Sequence, residues 1–320
     1  MTTSGIFRYA DPATIADSDV PFVKPWAKVD TDVTSFARTE VSRSVYNVRD
    51  APADQFSVDS SGFALFYAPV KEDYFANEDA IRNGYYAEVE ALVRAKLSTS
   101  LEPVTKVIIF DHTVRRRDPS APRQPVQQVH VDQTPGAAET RVRRHAGDAE
   151  EVETLLQSRY QIINVWRPIG YAAADHPLAF IDYRTASLND LKSVDLLYPN
   201  QPGSADIKLD MRGREVLPDP TRAMSTEGYS IKGETFTVVP SDEHRFYYVK
   251  DMKPEEALFI KCFDSRSEVH HGGRRGVSAW TPHTAFTDPA TPADAKGRQS
   301  IEVRCLVFYS SGENSAKPWD

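Results

Sequence analysis

From residue 105 onward the chain is a series of short β-branched and aromatic runs, each cut off by proline, glycine or polar residues. This pattern restricts the fold more than any other feature. Residues 105–114 carry Val107, Ile108, Ile109 and Phe110, a run that predicts a buried strand. Residues 160–165, 178–181, 234–239, 245–249, 257–262 and 301–309 read the same way. Pro168 ends the strand that begins at Tyr160, and residues 178–181 are expected to return beside it. Two further extended runs, 44–48 and 62–68, come earlier. The clearest amphipathic helix covers residues 72–97, where Ile81, Tyr85, Val89, Leu92 and Val93 recur at helical spacing. Residues 147–158 predict a second helix, with Asp148, Glu150 and Glu151 in its acidic first turn. Strands outnumber helices, so the expected fold is mainly β with flanking helices, of the α+β class, built as a β-sandwich or jelly roll.

The connections carry charge. Arg115, Arg116 and Arg117 open a proline-rich stretch, 115–125, and Arg141, Arg143, Arg144 and His145 form a second basic cluster; both read as solvated loop surface. Residues 186–232 have few apolar positions and read as irregular structure or a lid over a site. No internal repeat breaks the chain, so residues 1–320 are expected to form one domain. In it, 1–100 pack on a core built from 105–310, and 186–232 form a lid-like insertion.

Composition narrows the function classes. The 320 residues are 40% hydrophobic and 26% charged, which excludes wholesale disorder. The net charge of −8 disfavours a dedicated nucleic-acid binder and leaves a small neutral or mixed-charge ligand as the expected partner. Cys262 and Cys305 both sit in apolar strand-like runs and read as reduced core residues, which predicts a cytoplasmic protein. No apolar run approaches membrane-spanning length, so no membrane association is expected. Oligomeric state is not legible, and a homodimer remains open.

Histidine carries the chemical signal. His130-Val131-Asp132 lies in an extended stretch, 126–131, and residues two apart on a strand share a face. An imidazole and a carboxylate so placed supply two of the three ligands of the facial triad that holds non-heme Fe(II). His283 is the best third ligand, because Thr281-Pro282-His283-Thr284-Ala285-Phe286 is a short extended run. His270 and His271 precede glycines in a charged loop, His244 lies in a turn, and His176 and His145 lack a rigid platform. Downstream, Ile301, Val303, Cys305, Val307 and Tyr309 form one strand face, and Arg298, Ser300, Glu302 and Arg304 form the other. That polar face is either a wet strand surface or an arginine fork for the distal carboxylate of a cosubstrate, with Arg298 and Ser300 the first choice and Arg304 the second. There is no G-x-S-x-G elbow for a serine hydrolase, and Gly272-Gly273-Arg274-Arg275-Gly276 is not a nucleotide fingerprint.

Four motifs taken together, His130-Val131-Asp132, Ile162-Ile163-Asn164-Val165-Trp166-Arg167-Pro168, Pro282-His283-Thr284-Ala285-Phe286 and Ser300-Ile301-Glu302-Val303-Arg304, resemble the CmcJ/NvfI, or AsaB-type, hydroxylase/desaturase family of secondary metabolism, which includes gibberellin-desaturase-like proteins. The similarity runs over residues 107–309. The resemblance implies a double-stranded β-helix oxygenase with iron on His130, Asp132 and His283, 2-oxoglutarate on Arg298 or Arg304, and dioxygen as the oxidant. The reaction would be hydroxylation, desaturation or oxidative cyclisation of a small secondary-metabolite intermediate through C–H abstraction. Asn164 would support the ligands or cosubstrate. Trp166 and Arg167 would contact substrate, with core packing and an ion pair as the respective alternatives. His112 would hydrogen-bond cosubstrate or be a satisfied core histidine. The competing readings are an iron oxidase that consumes no 2-oxoglutarate and a β-helix protein that binds a ligand without catalysis.

Overall fold

The structure, a computed structural model, describes residues 2–310 apart from 16, 17, 30, 53, 119, 120, 122 and 201–221. Strands are numbered in chain order. One sheet has five strands, in the order β4 (Phe63–Tyr67), β12 (Glu256–Asp264), β7 (Tyr160–Pro168), β14 (Gln299–Tyr309) and β5 (Val104–Arg116). The other has nine, in the order β1 (Thr2–Ala10), β3 (Arg38–Asn47), β11 (Phe246–Tyr248), β8 (Leu178–Ile181), β13 (His283–Ala285), β6 (His130–Val131), β10 (Tyr229–Val238), β9 (Leu191–Pro199) and β2 (Trp26–Lys28). The sheets face one another. Phe63, Trp166, Leu258 and Ile260 from the first pack with Leu178, Phe180 and Tyr247 from the second, and the Phe63 and Phe180 ring centroids are 4.3 Å apart. This is the expected jelly-roll core with helices outside.

Every residue of β7 is buried, because both of its faces are covered. On the outside, the helical run α1 (Glu78–Ala80), a π turn (Ile81–Tyr85) and α2 (Tyr86–Leu97) lays Ile81, Tyr85, Val89 and Val93 against Ile163, Val165, Ile301, Val303 and Cys305. Each such fully buried aliphatic side chain contributes about 1.5–3 kcal/mol relative to exposure. On the inside, α3 (Pro135–His145) and α4 (Ala149–Leu156) close one end of the sheet by packing Ala138, Val142, Val152 and Leu156 on Ile162, Leu306 and Phe308. The polar site occupies the remaining part of that inner face.

Several expectations need correction. β8 does not return beside β7; it pairs with β11 and β13 in the other sheet. Arg115 and Arg116 are not in a loop, since β5 continues through Arg116, paired with Gln299. Arg141, Arg143, Arg144 and His145 belong to α3, which begins with Pro135 after the Thr134 cap; Arg143 and Arg144 face outward, whereas Arg141 and His145 lie half-buried against the Phe110 ring. Arg143, for instance, pairs with Glu139 one turn away. Within 186–232, residues Leu191–Pro199 form β9 and Tyr229 begins β10, joined by an antiparallel ladder. The lid expectation otherwise falls mainly on 201–221, outside the described residues. Cys262 and Cys305 are free and buried, and among the described residues no helix is long and apolar enough to cross a membrane.

Candidate metal centre

His130 and His283 are direct register partners on β6 and β13, and their ring centroids stand 4.5 Å apart. Asp132, two residues after His130, returns to the same side. Its Oδ1 lies 3.3 Å from His130 Nε2 and 4.0 Å from His283 Nε2. Ligand atoms of the three residues all lie within 4.8 Å of one another. Neighbouring donors around an octahedral ion with bonds of about 2.1 Å are roughly 3 Å apart, so a small inward movement completes the set.

Hydrogen bonds decide which atoms are available. His130 Nδ1 donates to the Gln128 carbonyl at 2.7 Å, and His283 Nδ1 donates to the Thr281 carbonyl at 2.9 Å. A carbonyl can only accept, so each Nδ1 carries the proton and each Nε2 is left as the ligand atom. Asp132 is sorted in the same way. Its Oδ2 accepts from Asn164 Nδ2 at 2.7 Å and from Arg304 Nε at 3.3 Å, leaving Oδ1 toward the imidazoles. Burial opposes ionisation of Asp132, but Arg304 and the imidazoles outweigh it and hold the carboxyl well below the usual carboxylate range.

The two candidate arginines have different surroundings. Arg304 is saturated, with Nη1 at 3.2 Å from Asp111 Oδ2 and 2.9 Å from Thr113 Oγ1. Its Nη2 also pairs with Glu302. Arg298 is only 2% exposed, yet among the described residues its guanidinium meets one acceptor, the His176 carbonyl at 2.6 Å from Nη1. Its Nε is buried without a partner, and the group lies 5.6 Å from the Trp166 ring centroid. Burial and the neighbouring Arg115 pull its pKa down to about 9. His176, in the left-handed region at φ 43°, supplies that carbonyl, and Asp175 Oδ2 accepts the Arg298 backbone N–H at 3.1 Å. Arg298 is therefore the arginine with donors to spare.

Arg298, Ser300, Arg304 and Trp166 line one cavity with His130, Asp132 and His283, and Thr113, Arg115, Val126, Leu178 and Glu302 are also in its walls. Two expected residues lie elsewhere. His112 projects from the opposite face of β5 from Thr113, where its Nδ1 meets Tyr86 Oη at 2.7 Å and its Nε2 meets Glu78 Oε1 at 3.1 Å; it is a satisfied core histidine. Arg167 leaves β7 on the opposite face from Trp166 and donates to the Ala68 and Pro254 carbonyls at 2.9 and 3.1 Å, so it braces the outer layer and cannot contact substrate there. Thr113 and Arg115 of β5 also line the site and Asp111 reaches it through Arg304, while Glu302 lies on the polar face of β14 beside Ser300 and Arg304. Period-two alternation continued past Thr113 would have found Arg115.

A family model described as an oxidoreductase/YMDC permease-like domain matches residues 7–308. The hydroxylase/desaturase efuI of Hormonema carpetanum is 29% identical over 276 residues, covering 81% of each chain. The hydroxylase/desaturase asaB of Aspergillus flavus is 36% identical over 161 residues, which span 50% of this chain and 60% of that protein. The solved structure of the iron and alpha-ketoglutarate-dependent endoperoxidase NvfI, in one of its conformations, matches with a TM-score of 0.73 and 25% identity, covering 96% of this chain and 98% of that one. The core geometry, the extent of the family match and these relatives lead to one conclusion: the chain belongs to the AsaB- and NvfI-type hydroxylase/desaturase family.

Proposed function

We propose that the protein is an Fe(II)- and 2-oxoglutarate-dependent oxygenase that uses dioxygen to hydroxylate, desaturate or oxidatively cyclise a small secondary-metabolite intermediate. One observation carries this reading: Nε2 of His130, Nε2 of His283 and Oδ1 of Asp132 converge, while the other polar atom of each side chain is tied to a protein partner. A donor set of two imidazoles and one carboxylate suits ferrous iron and leaves three positions open. When bound, ferrous iron with 2-oxoglutarate and dioxygen supplies the oxidising equivalents for breaking a C–H bond. The names of the relatives, hydroxylase/desaturase and endoperoxidase, support an oxidative role.

The chain's own residues orient and enclose. Asn164 and Arg304 fix the rotation of the Asp132 carboxylate. Arg298, with Ser300 on the same face, binds the distal carboxylate of the cosubstrate through the donors the protein leaves unused. Trp166, Leu178 and Val126 form apolar wall that keeps bulk water from the reacting centre. Two buried free thiols support a reducing, cytoplasmic address.

The test is anaerobic loading with Fe(II), followed by turnover with candidate metabolites while succinate is measured. Metal uptake that disappears in His130→Ala and His283→Ala, with succinate formed in step with product, is the expected result. Turnover without succinate would reassign the protein as an iron oxidase. Failure of the intact chain to bind iron would leave a non-catalytic binder.

A further inference from the structure

The cavity carries more positive charge than the role of Arg298 uses. Arg115 is the register partner of Ser300 across β5 and β14, so its side chain leaves the sheet on the same side as those of Ser300 and Arg298. Both arginines line the cavity. Arg115 Nη1 donates to the Gln124 carbonyl at 3.0 Å. Among the described residues neither Arg115 nor the Arg298 side chain is in an ion pair with a carboxylate, whereas Arg304 pairs with Asp111, Asp132 and Glu302. Glu302, the acid that acts on both unpaired arginines, is thus already bound to Arg304.

Two guanidinium groups lining one cavity, Arg298 buried and Arg115 half-buried, repel, and Arg115 is among the causes that depress the Arg298 pKa. Such a pair raises the free energy of the empty site. An anion between the two groups removes the repulsion and gives the buried, unpartnered Arg298 Nε an acceptor.

We propose that Arg115 and Arg298 form a two-guanidinium receptor for one carboxylate, which makes Arg115 a further binding residue for the distal end of a 2-oxo dicarboxylate. This rests on the assignment of the cavity as a 2-oxoglutarate site. It predicts selectivity for cosubstrates with a second carboxylate over 2-oxo acids without one.

The experiment is calorimetric titration of anaerobic, Mn(II)-loaded protein with 2-oxoglutarate and with 2-oxopentanoate, which has the same 2-oxo acid head and no distal carboxylate. Arg115→Met should weaken 2-oxoglutarate binding about 10-fold or more and leave 2-oxopentanoate unchanged, with Arg115→Lys recovering part of the loss. Unchanged 2-oxoglutarate affinity in Arg115→Met, an equal loss for both acids, or a loss confined to the organic substrate would each overturn the proposal. Arg298→Met separates this from the underlying assignment. If that variant keeps the full preference for 2-oxoglutarate, the cavity is not the cosubstrate site, whatever Arg115→Met does. A thermal melt matching the unsubstituted protein confirms that each variant is folded.

Discussion

Asn164 on β7 reaches across the gap between the sheets to donate to Asp132 Oδ2 at 2.7 Å, so a side chain of the five-stranded sheet sets the rotation of a ligand carried by the nine-stranded one. The two halves of the core meet at the site through this contact and through Arg304.

Loss of the contact should loosen the metal without unfolding the protein. Asn164→Ala removes one of the two donors to Oδ2 and lets the carboxylate rotate, which should weaken Fe(II) or Mn(II) binding about 10- to 100-fold. Competition with a metal-binding dye would measure this. An affinity equal to that of the unsubstituted chain would mean that Arg304 orients Asp132 alone.

The two arginines should fail differently. Arg298→Met should raise the 2-oxoglutarate requirement while metal binding persists, because its guanidinium touches no metal ligand. Arg304→Met leaves Asp111, Asp132 and Glu302 buried without their shared cation. Stranding buried charge costs about 3–5 kcal/mol, so this variant should be destabilised in urea and lose metal as well. Identical phenotypes for the two would argue against separate roles.

What could be read from sequence follows the distance over which each feature is determined. His130 and Asp132 share a face because of local alternation alone, and the same rule separates Ser300, Glu302 and Arg304 from Ile301, Val303 and Cys305. The pairing of His283 with His130 joins strands far apart in the chain, and only the residue type and extended context of His283 hinted at it. His112 and Arg167 leave their strands on the faces away from the cavity; alternation separates the two faces of a strand but does not say which one meets the site, so for both residues it leaves the core and site readings open. In β5 the alternation continues through Arg115 although a charge run resembles solvated loop, and the register with β14 carries Arg115 into the cavity. The place of β8 between β11 and β13 is not legible locally, because strand order is a property of the whole fold.

Gly62 should prove irreplaceable for a reason visible beside His283. Its φ is 87°, and an added Cβ would stand 2.3 Å from Thr281 Oγ1 and 3.0 Å from the Trp280 carbonyl. The Thr281 hydroxyl donates to the Gly62 carbonyl at 2.6 Å, and the Thr281 carbonyl holds His283 Nδ1. Gly62→Ala should therefore cost about 1–3 kcal/mol through backbone strain and weaken metal binding by turning His283. Normal metal affinity in a folded Gly62→Ala protein would separate the turn from the site.

The acid limb of stability should depend on a buried network outside the site. Lys261 Nζ donates to Asp264 Oδ2 at 2.7 Å and to the Ser278 carbonyl at 3.1 Å, and Arg159 Nη2 reaches the same carboxylate oxygen at 2.7 Å. Burial opposes the Asp264 charge, but Lys261 and Arg159 overcome it and push its pKa far below the ordinary value. A carboxyl whose folded pKa is depressed contributes stability above its unfolded value of about 3.9, and that contribution is lost as pH falls from there through the folded pKa. Asp264→Asn should thus be less stable than the unsubstituted chain by about 3–5 kcal/mol at pH 7, since it leaves Lys261 and Arg159 buried with one acid fewer. Urea unfolding at pH 7 and again below pH 4 should show the gap narrowing as acid protonates Asp264 in the unsubstituted chain. A gap that stays constant with pH would mean that the asparagine acts through packing and not through the lost charge.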